Sequence, residues 1–171
     1  MPYPEYLVAP MREELTRLGV RELRTAADVD AAMNEAQRGT TLAVVNSVCG
    51  CAAANARPAV ALVQPLDVGP DRQVTVFAGQ DLDATARLRE HLAGIPPSSP
   101  FMVLIKDGDP VFVLERRHIE GRSSSAIASD LREAYATYCG PDGAAAPDEP
   151  ARPDAETPAS EPVTSTFRSI L

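Results

Sequence analysis

The sequence predicts an α/β fold in which a mixed central sheet carries helices on both faces, preceded by an extra N-terminal helix. Three observations point to it. Helix-like and strand-like segments alternate through residues 5–92, which implies parallel strands joined by right-handed crossovers. Thr40–Asn46 is short, apolar and rich in β-branched residues, as suits a strand covered on both faces. After residue 100, two apolar runs flank Asp107-Gly108, the turn signal of an antiparallel hairpin.

Each element has its own signal. Tyr6, Leu7, Met11, Leu15 and Leu18 fall near helical spacing, and Gly19 stops that first helix. Val20–Arg24 is a short strand. Thr25 caps a second helix bearing Val29 and Met33, with Asp28 placed for its N-terminus. Gly50 to about Val63 is helical, with Pro58 as a kink. Gln73–Ala78 is a strand, and Leu82–Leu92 a helix closed by Gly94. Pro96-Pro97-Ser98-Ser99-Pro100 forbids regular structure before the strand Phe101–Lys106, which turns back into Val111–Leu114. Ser123 or Ser124 caps a last helix with Ile127, Leu131 and Tyr135 on one face.

The 171 residues divide into a body, 1–139, and a tail, 140–171, rich in Pro and Ala and read as disordered. The tail holds six acids (Asp142, Asp148, Glu149, Asp154, Glu156, Glu161) against two arginines, half of the net charge of −8. An acidic chain without a basic stripe is a poor partner for nucleic acid or an anionic membrane. There is no signal-peptide pattern at the N-terminus and no apolar stretch of membrane-spanning length. With three cysteines, an odd number, this places the protein in the cytoplasm with reduced thiols.

Two of those cysteines lie together in Val48-Cys49-Gly50-Cys51, where a strand hands over to a helix. A thiol at a helix start faces unsatisfied backbone N–H groups, which favour the nucleophilic thiolate. Cys51, two residues on, would project from the opposite side of a regular helix, so a Cys49–Cys51 bridge is expected to be strained. A mixed disulfide with an external thiol then competes well with the internal one. Two blander readings stand beside this: the pair as buried small hydrophobes, or as ligands in a metal- or metal-cluster-binding module. His91, His118 and Cys139 share no metal-ligand spacing with it, and His91 reads as a helix-end residue. Cys139 ends a helix of about 16 residues, roughly 24 Å long at 1.5 Å per residue, too far to resolve Cys49 directly. The Ser99-Pro100 bond sits where a cis proline would expose backbone polar groups to an extended substrate. Arg116 and Arg117 are either a solvated strand end or a carboxylate-binding pair.

Several motifs resemble the bacilliredoxin family, within the thioredoxin fold. They are Val45-Asn46-Ser47-Val48-Cys49-Gly50-Cys51-Ala52-Ala53, Ala56-Arg57-Pro58, Thr75-Val76-Phe77-Ala78-Gly79-Gln80-Asp81, Pro97-Ser98-Ser99-Pro100 and His118-Ile119-Glu120-Gly121. The resemblance covers about residues 3–139 and leaves the tail outside. It implies a thioredoxin-like thiol-disulfide oxidoreductase that removes bacillithiol, or a similar low-molecular-weight thiol, from S-thiolated client proteins. Weak disulfide isomerase or reductase activity would accompany it. By the same resemblance Cys49 attacks, Cys51 is its companion or resolving thiol, and Pro100 is a cis-proline facing them. Gly50, Ser99, Pro100 and Gly121 would line the substrate. No bound cofactor or metal is implied; the small thiol is a co-substrate. The chain departs from ordinary thioredoxins at Val48, where they have tryptophan, and at Ala43, where they bury an aspartate that accepts a proton. Ala54-Asn55 is a smaller departure from the bacilliredoxin pattern.

Overall fold

A computed structural model describes residues 2–153. In chain order these form α1 (Glu5–Thr16), β1 (Arg21–Glu22), α2 (Ala26–Glu35), β2 (Thr40–Asn46), a π-helical turn (Ala52–Ala56) running into α3 (Arg57–Val63), β3 (Arg72–Phe77), α4 (Leu82–His91), β4 (Phe101–Lys106), β5 (Asp109–Leu114), α5 (Arg116–Ile119) and α6 (Ser124–Tyr138). The sheet runs β1-β3-β2-β4-β5. β1, β3 and β2 are parallel, whereas β4 pairs antiparallel with β2 and β5 antiparallel with β4. This is the mixed sheet that the alternation and the Asp-Gly turn predict, and its arrangement is the thioredoxin-like one that the resemblance implies.

Every residue of β2 is buried, and its alternation builds both halves of the core. Leu42 and Val44 join Leu15, Val60, Leu104 and Leu131 under α1, α3 and α6. Ala43 and Val45 point the other way, into Val29, Met33, Val74, Leu88 and Val103 under α2 and α4. The helix starts follow the caps read from sequence. Thr25 Oγ1 accepts from Asp28 N–H and Asp28 Oδ2 accepts from Thr25 N–H, at 3.1 and 2.9 Å. Ser123 Oγ accepts from Ala126 N–H at the start of α6. Asp107 and Gly108 both take positive φ, as a two-residue hairpin turn requires.

Three local expectations change. Residues 50–63 remain helical, but the kink assigned to Pro58 is instead the wide turn Ala52–Ala56, in which Arg57 N–H reaches back five residues to Ala52 O. Pro58 then falls in the first turn of α3, where its missing N–H costs little. Residues 116–119, expected as a strand end, coil into α5. Residues 140–153 are irregular, as their prolines demand, yet they are fastened to the body. Lys106 Nζ donates to the carbonyls of Gly143 and Ala144, both at 2.7 Å. Ala151 exchanges backbone hydrogen bonds of 2.8 Å with Val111 and Val113, covering the outer edge of β5. The rest of the proposed disordered tail, 154–171, lies outside the described residues. Among the described residues no helix is long and apolar enough to cross a membrane.

Two buried arginines fix the extra helix α1 to this frame. The Arg12 guanidinium grips Asp81 through a fork of 2.6 and 3.0 Å, reaches Glu22 at 2.6 Å and lies over the Phe77 ring. Arg57, 3% exposed, donates to Glu14 (2.7 Å), Asn46 Oδ1 (3.0 Å) and Ser47 O (3.1 Å). Asn46 Nδ2 in turn donates to Met11 O. One guanidinium thus joins α1, the end of β2 and the start of α3. Arg57→Met keeps the apolar stem but strands these acceptors, and is expected to cost about 2–3 kcal/mol in urea unfolding, the scale of hydrogen bonds to a charged group. Glu14→Gln, at the half-exposed end of the network, should cost under about 1 kcal/mol.

Candidate functional site

β2 ends at Asn46, and the next five residues carry the two sulfurs. Asn46 Oδ1 accepts from Ser47 N–H at 2.9 Å as well as from Arg57, so the backbone leaving the strand is held by a buried network. Cys49 sits in the bend before the helix and acts as its cap. Its carbonyl accepts from the N–H groups of Ala52 and Ala53, and its Sγ lies 3.4 Å from Ala52 N. Ser47 Oγ, largely buried, donates to Cys49 Sγ at 3.1 Å.

Because Cys49 precedes the helix, the regular-helix argument that set Cys51 on the opposite side does not apply. The two sulfurs face each other at 2.6 Å, each partly exposed and neither in a disulfide. Their acidities diverge. Burial pushes the Cys49 thiol up, but hydrogen bonds from Cys51, Ser47 and Ala52 N–H, with the charge of Arg116, outweigh it and hold Cys49 below an ordinary thiol. Burial, the hydrogen bond to Cys49 and the charge on Cys49 push Cys51 above one. Across their 2.6 Å contact the acidity is divided, Cys49 being the more acidic sulfur and Cys51 the less.

Other expected residues fall around this centre. The Ser99-Pro100 bond is cis, and the strand that follows it pairs Phe101 with Val45, so Pro100 is delivered to the end of β2 from which the cysteine segment departs. Gly50 is exposed, and a Cβ there would meet open space. Gly121, with φ +75°, lies in the turn between α5 and α6. Ala43 is fully buried among apolar side chains, so this position supplies no acid. Cys139 is buried at the end of α6, near Thr40 at the opposite end of β2. That separation is about 20 Å of strand. His91 pairs with Asp30 at 2.8 Å, tying α4 to α2. His118 is buried and accepts from Glu115 N–H at 2.9 Å through Nδ1; burial and the charge of Arg117 lower its pKa, so it serves as a neutral cap for α5. Among the described residues no group of three His, Cys, Asp or Glu is placed to hold a metal ion, and the metal-module alternative is not favoured.

Sequence reasoning missed Ser47, Arg57 and α5 as parts of the site. Arg57 had a visible signal, a lone charge in an otherwise apolar helix. Ser47 had only its place two residues before Cys49. α5 is tethered to the cysteine helix by Asn55 Nδ2 donating to Ile119 O at 3.0 Å, a contact between residues far apart in sequence.

The Disulphide isomerase family model matches residues 3–139. A bacilliredoxin from Salinibacter ruber is 60% identical over 99% of this chain and 99% of its own length, tail included. Another, from Bacillus licheniformis, is 50% identical over 80% of this chain and 97% of its own. Thioredoxin from Fasciola hepatica superposes on 68% of this chain and 97% of its own, with TM-score 0.48 and 23% identity. The chain belongs to the bacilliredoxin family and is a thiol-disulfide oxidoreductase.

Proposed function

We propose that this enzyme removes bacillithiol, or a similar low-molecular-weight thiol, from mixed disulfides on client proteins in the reducing cytoplasm. The observation that carries the reading is the inequality of the sulfur pair: Ser47 Oγ and Ala52 N–H both donate to Cys49 Sγ, which faces Cys51 at 2.6 Å, so Cys49 is the more acidic sulfur and Cys51 the thiol held in reserve. The Cys49 thiolate attacks the small thiol's sulfur in the client disulfide. The client leaves as a thiolate, and Cys49 now carries the small thiol in a new disulfide.

Two routes restore the enzyme. Cys51 can lose its proton and attack Cys49 Sγ, releasing the small thiol as a thiolate and leaving a Cys49–Cys51 disulfide. A second small thiolate can instead attack the bound one, releasing a small-molecule disulfide and free Cys49. Once Cys49 is capped, the charge and hydrogen bond that hold the Cys51 proton are gone, so Cys51 becomes more acidic only after the first step. No acid lies at Ala43 to take that proton. This supports a carrier of small thiols over a strong dithiol reductant. The exposed, side-chain-free Gly50 and the arrival of Pro100 at the same end of β2 support an extended client chain crossing beside Cys49.

Mass spectrometry after exposure to bacillithiol and glutathione disulfides tests the reaction. Cys51→Ala should accumulate one small-thiol adduct on Cys49, whereas Cys49→Ser should take none at position 51; an unmodified Cys49 in Cys51→Ala would refute the reading. Ser47→Ala removes a donor to the thiolate, so the pH profile of iodoacetamide alkylation at Cys49 should move to higher pH. At pH 7 the rate should drop severalfold, the effect of losing one hydrogen bond to a charged acceptor, and variant and wild type should converge in strong alkali.

A further inference from the structure

An open cleft of about 430 Å³ is lined by Pro96, Ser98, Glu115, Arg116, Arg117 and Glu120. Its walls are bound into the site from two sides. Arg116 N–H donates to Ser98 Oγ at 3.1 Å, two residues before the cis Pro100. At the other end of α5, the Asn55 amide ties Ile119 to the helix that follows Cys51. The charge of Arg116 acts on both sulfurs. A volume of this size suits a small molecule.

The two arginines of the cleft are not equivalent. Arg117 Nε donates to Glu115 Oε2 at 2.7 Å, and Glu115 is buried, so that carboxylate is fixed. Arg116 is paired with Glu120 at 3.2 Å, but both side chains stand about half exposed on one face of a short helix. Exposed pairs of this kind hold weakly and exchange readily. Glutathione and free cysteine, low-molecular-weight thiols, carry carboxylates on the same framework as the sulfur. Approaching a chain of net charge −8, such an anion needs a local cation that can be freed.

We propose that this cleft binds the carboxylate-bearing part of the small thiol, that the Arg116 guanidinium is its anion-binding group, and that Glu120 occupies the same fork in the resting protein. The inference rests on the thiol-transfer reading above and adds the substrate feature being recognised. A guanidinium presents two parallel N–H donors to a carboxylate, so the incoming anion replaces Glu120 in kind. Selection among mixed disulfides then falls on the small thiol as well as on the client.

The full-length chain carrying Cys51→Ala is reacted with two disulfides, the polycarboxylate glutathione disulfide and neutral 2-hydroxyethyl disulfide, and the rate of adduct formation on Cys49 is followed for each. Adding Arg116→Gln should lower the ratio of the anionic to the neutral rate about tenfold, the loss of one charge-assisted contact. Arg116→Lys should recover part of it, and Glu120→Gln should raise the ratio. Taking the ratio removes any change in Cys49 acidity, which affects both probes alike. Equal slowing of both probes by Arg116→Gln, or no slowing of either, would overturn the subsite while leaving thiol transfer intact. Absence of any Cys49 adduct with either probe when Arg116 is intact would overturn both.

Discussion

The site depends first on keeping one guanidinium satisfied inside the protein. A buried cation without partners is far too costly to keep, so wherever Arg57 goes, acceptors must be brought to it. They come from three elements: Glu14 on α1, the Asn46 side chain at the end of β2, and the Ser47 carbonyl at the start of the cysteine segment. The π turn ends at Arg57, and the extra N-terminal helix supplies the carboxylate. α1 is therefore part of the apparatus that holds the backbone under Cys49. With Asn46 and Ser47 pinned, Ser47 Oγ and Ala52 N–H converge on Cys49 Sγ.

That convergence accounts for the asymmetry of the sulfur pair. Facing each other at 2.6 Å, two cysteines in equivalent surroundings would share a proton evenly. Here the donors gather on Cys49, while Cys51 meets chiefly burial and the negative charge of its neighbour. Ala43, buried in the apolar cluster, supplies no acid at the position where ordinary thioredoxins bury one. Arg116 adds a long-range positive charge from α5, and α5 is itself positioned by the neutral, buried His118. In the proposed reaction the same arginine serves twice, through its field on the sulfurs and through its fork on an incoming carboxylate.

Much of the fold was legible because its signals are local. The Thr25 and Asp28 cap, the β-branched run of β2, the Asp-Gly turn and the Ser123 cap each act through residues a few positions apart, and each formed as read. The misreadings share the opposite character. α5 forms where a strand end was expected, because His118 caps it from within a buried pocket. Residues 140–153 have a composition that cannot build regular structure. They are nevertheless held, by Lys106 and by the open edge of β5, partners lying far back in the chain.

By itself, the sequence determined the strand-helix alternation, the place of Cys49 at a helix start, the proline before β4 and the family to which the motifs belong. These are matters of spacing and residue type, and the chain carries them wherever it folds. Only the tertiary structure decided that Cys51 would face Cys49, that Ser47 would donate to Cys49, and that the charge of Arg116 would act on both sulfurs. The reason is geometric. Cys49 lies in the bend before the helical segment, so helical periodicity says nothing about its direction; the Arg57 network sets it instead, and that network exists only once α1, β2 and α3 have met.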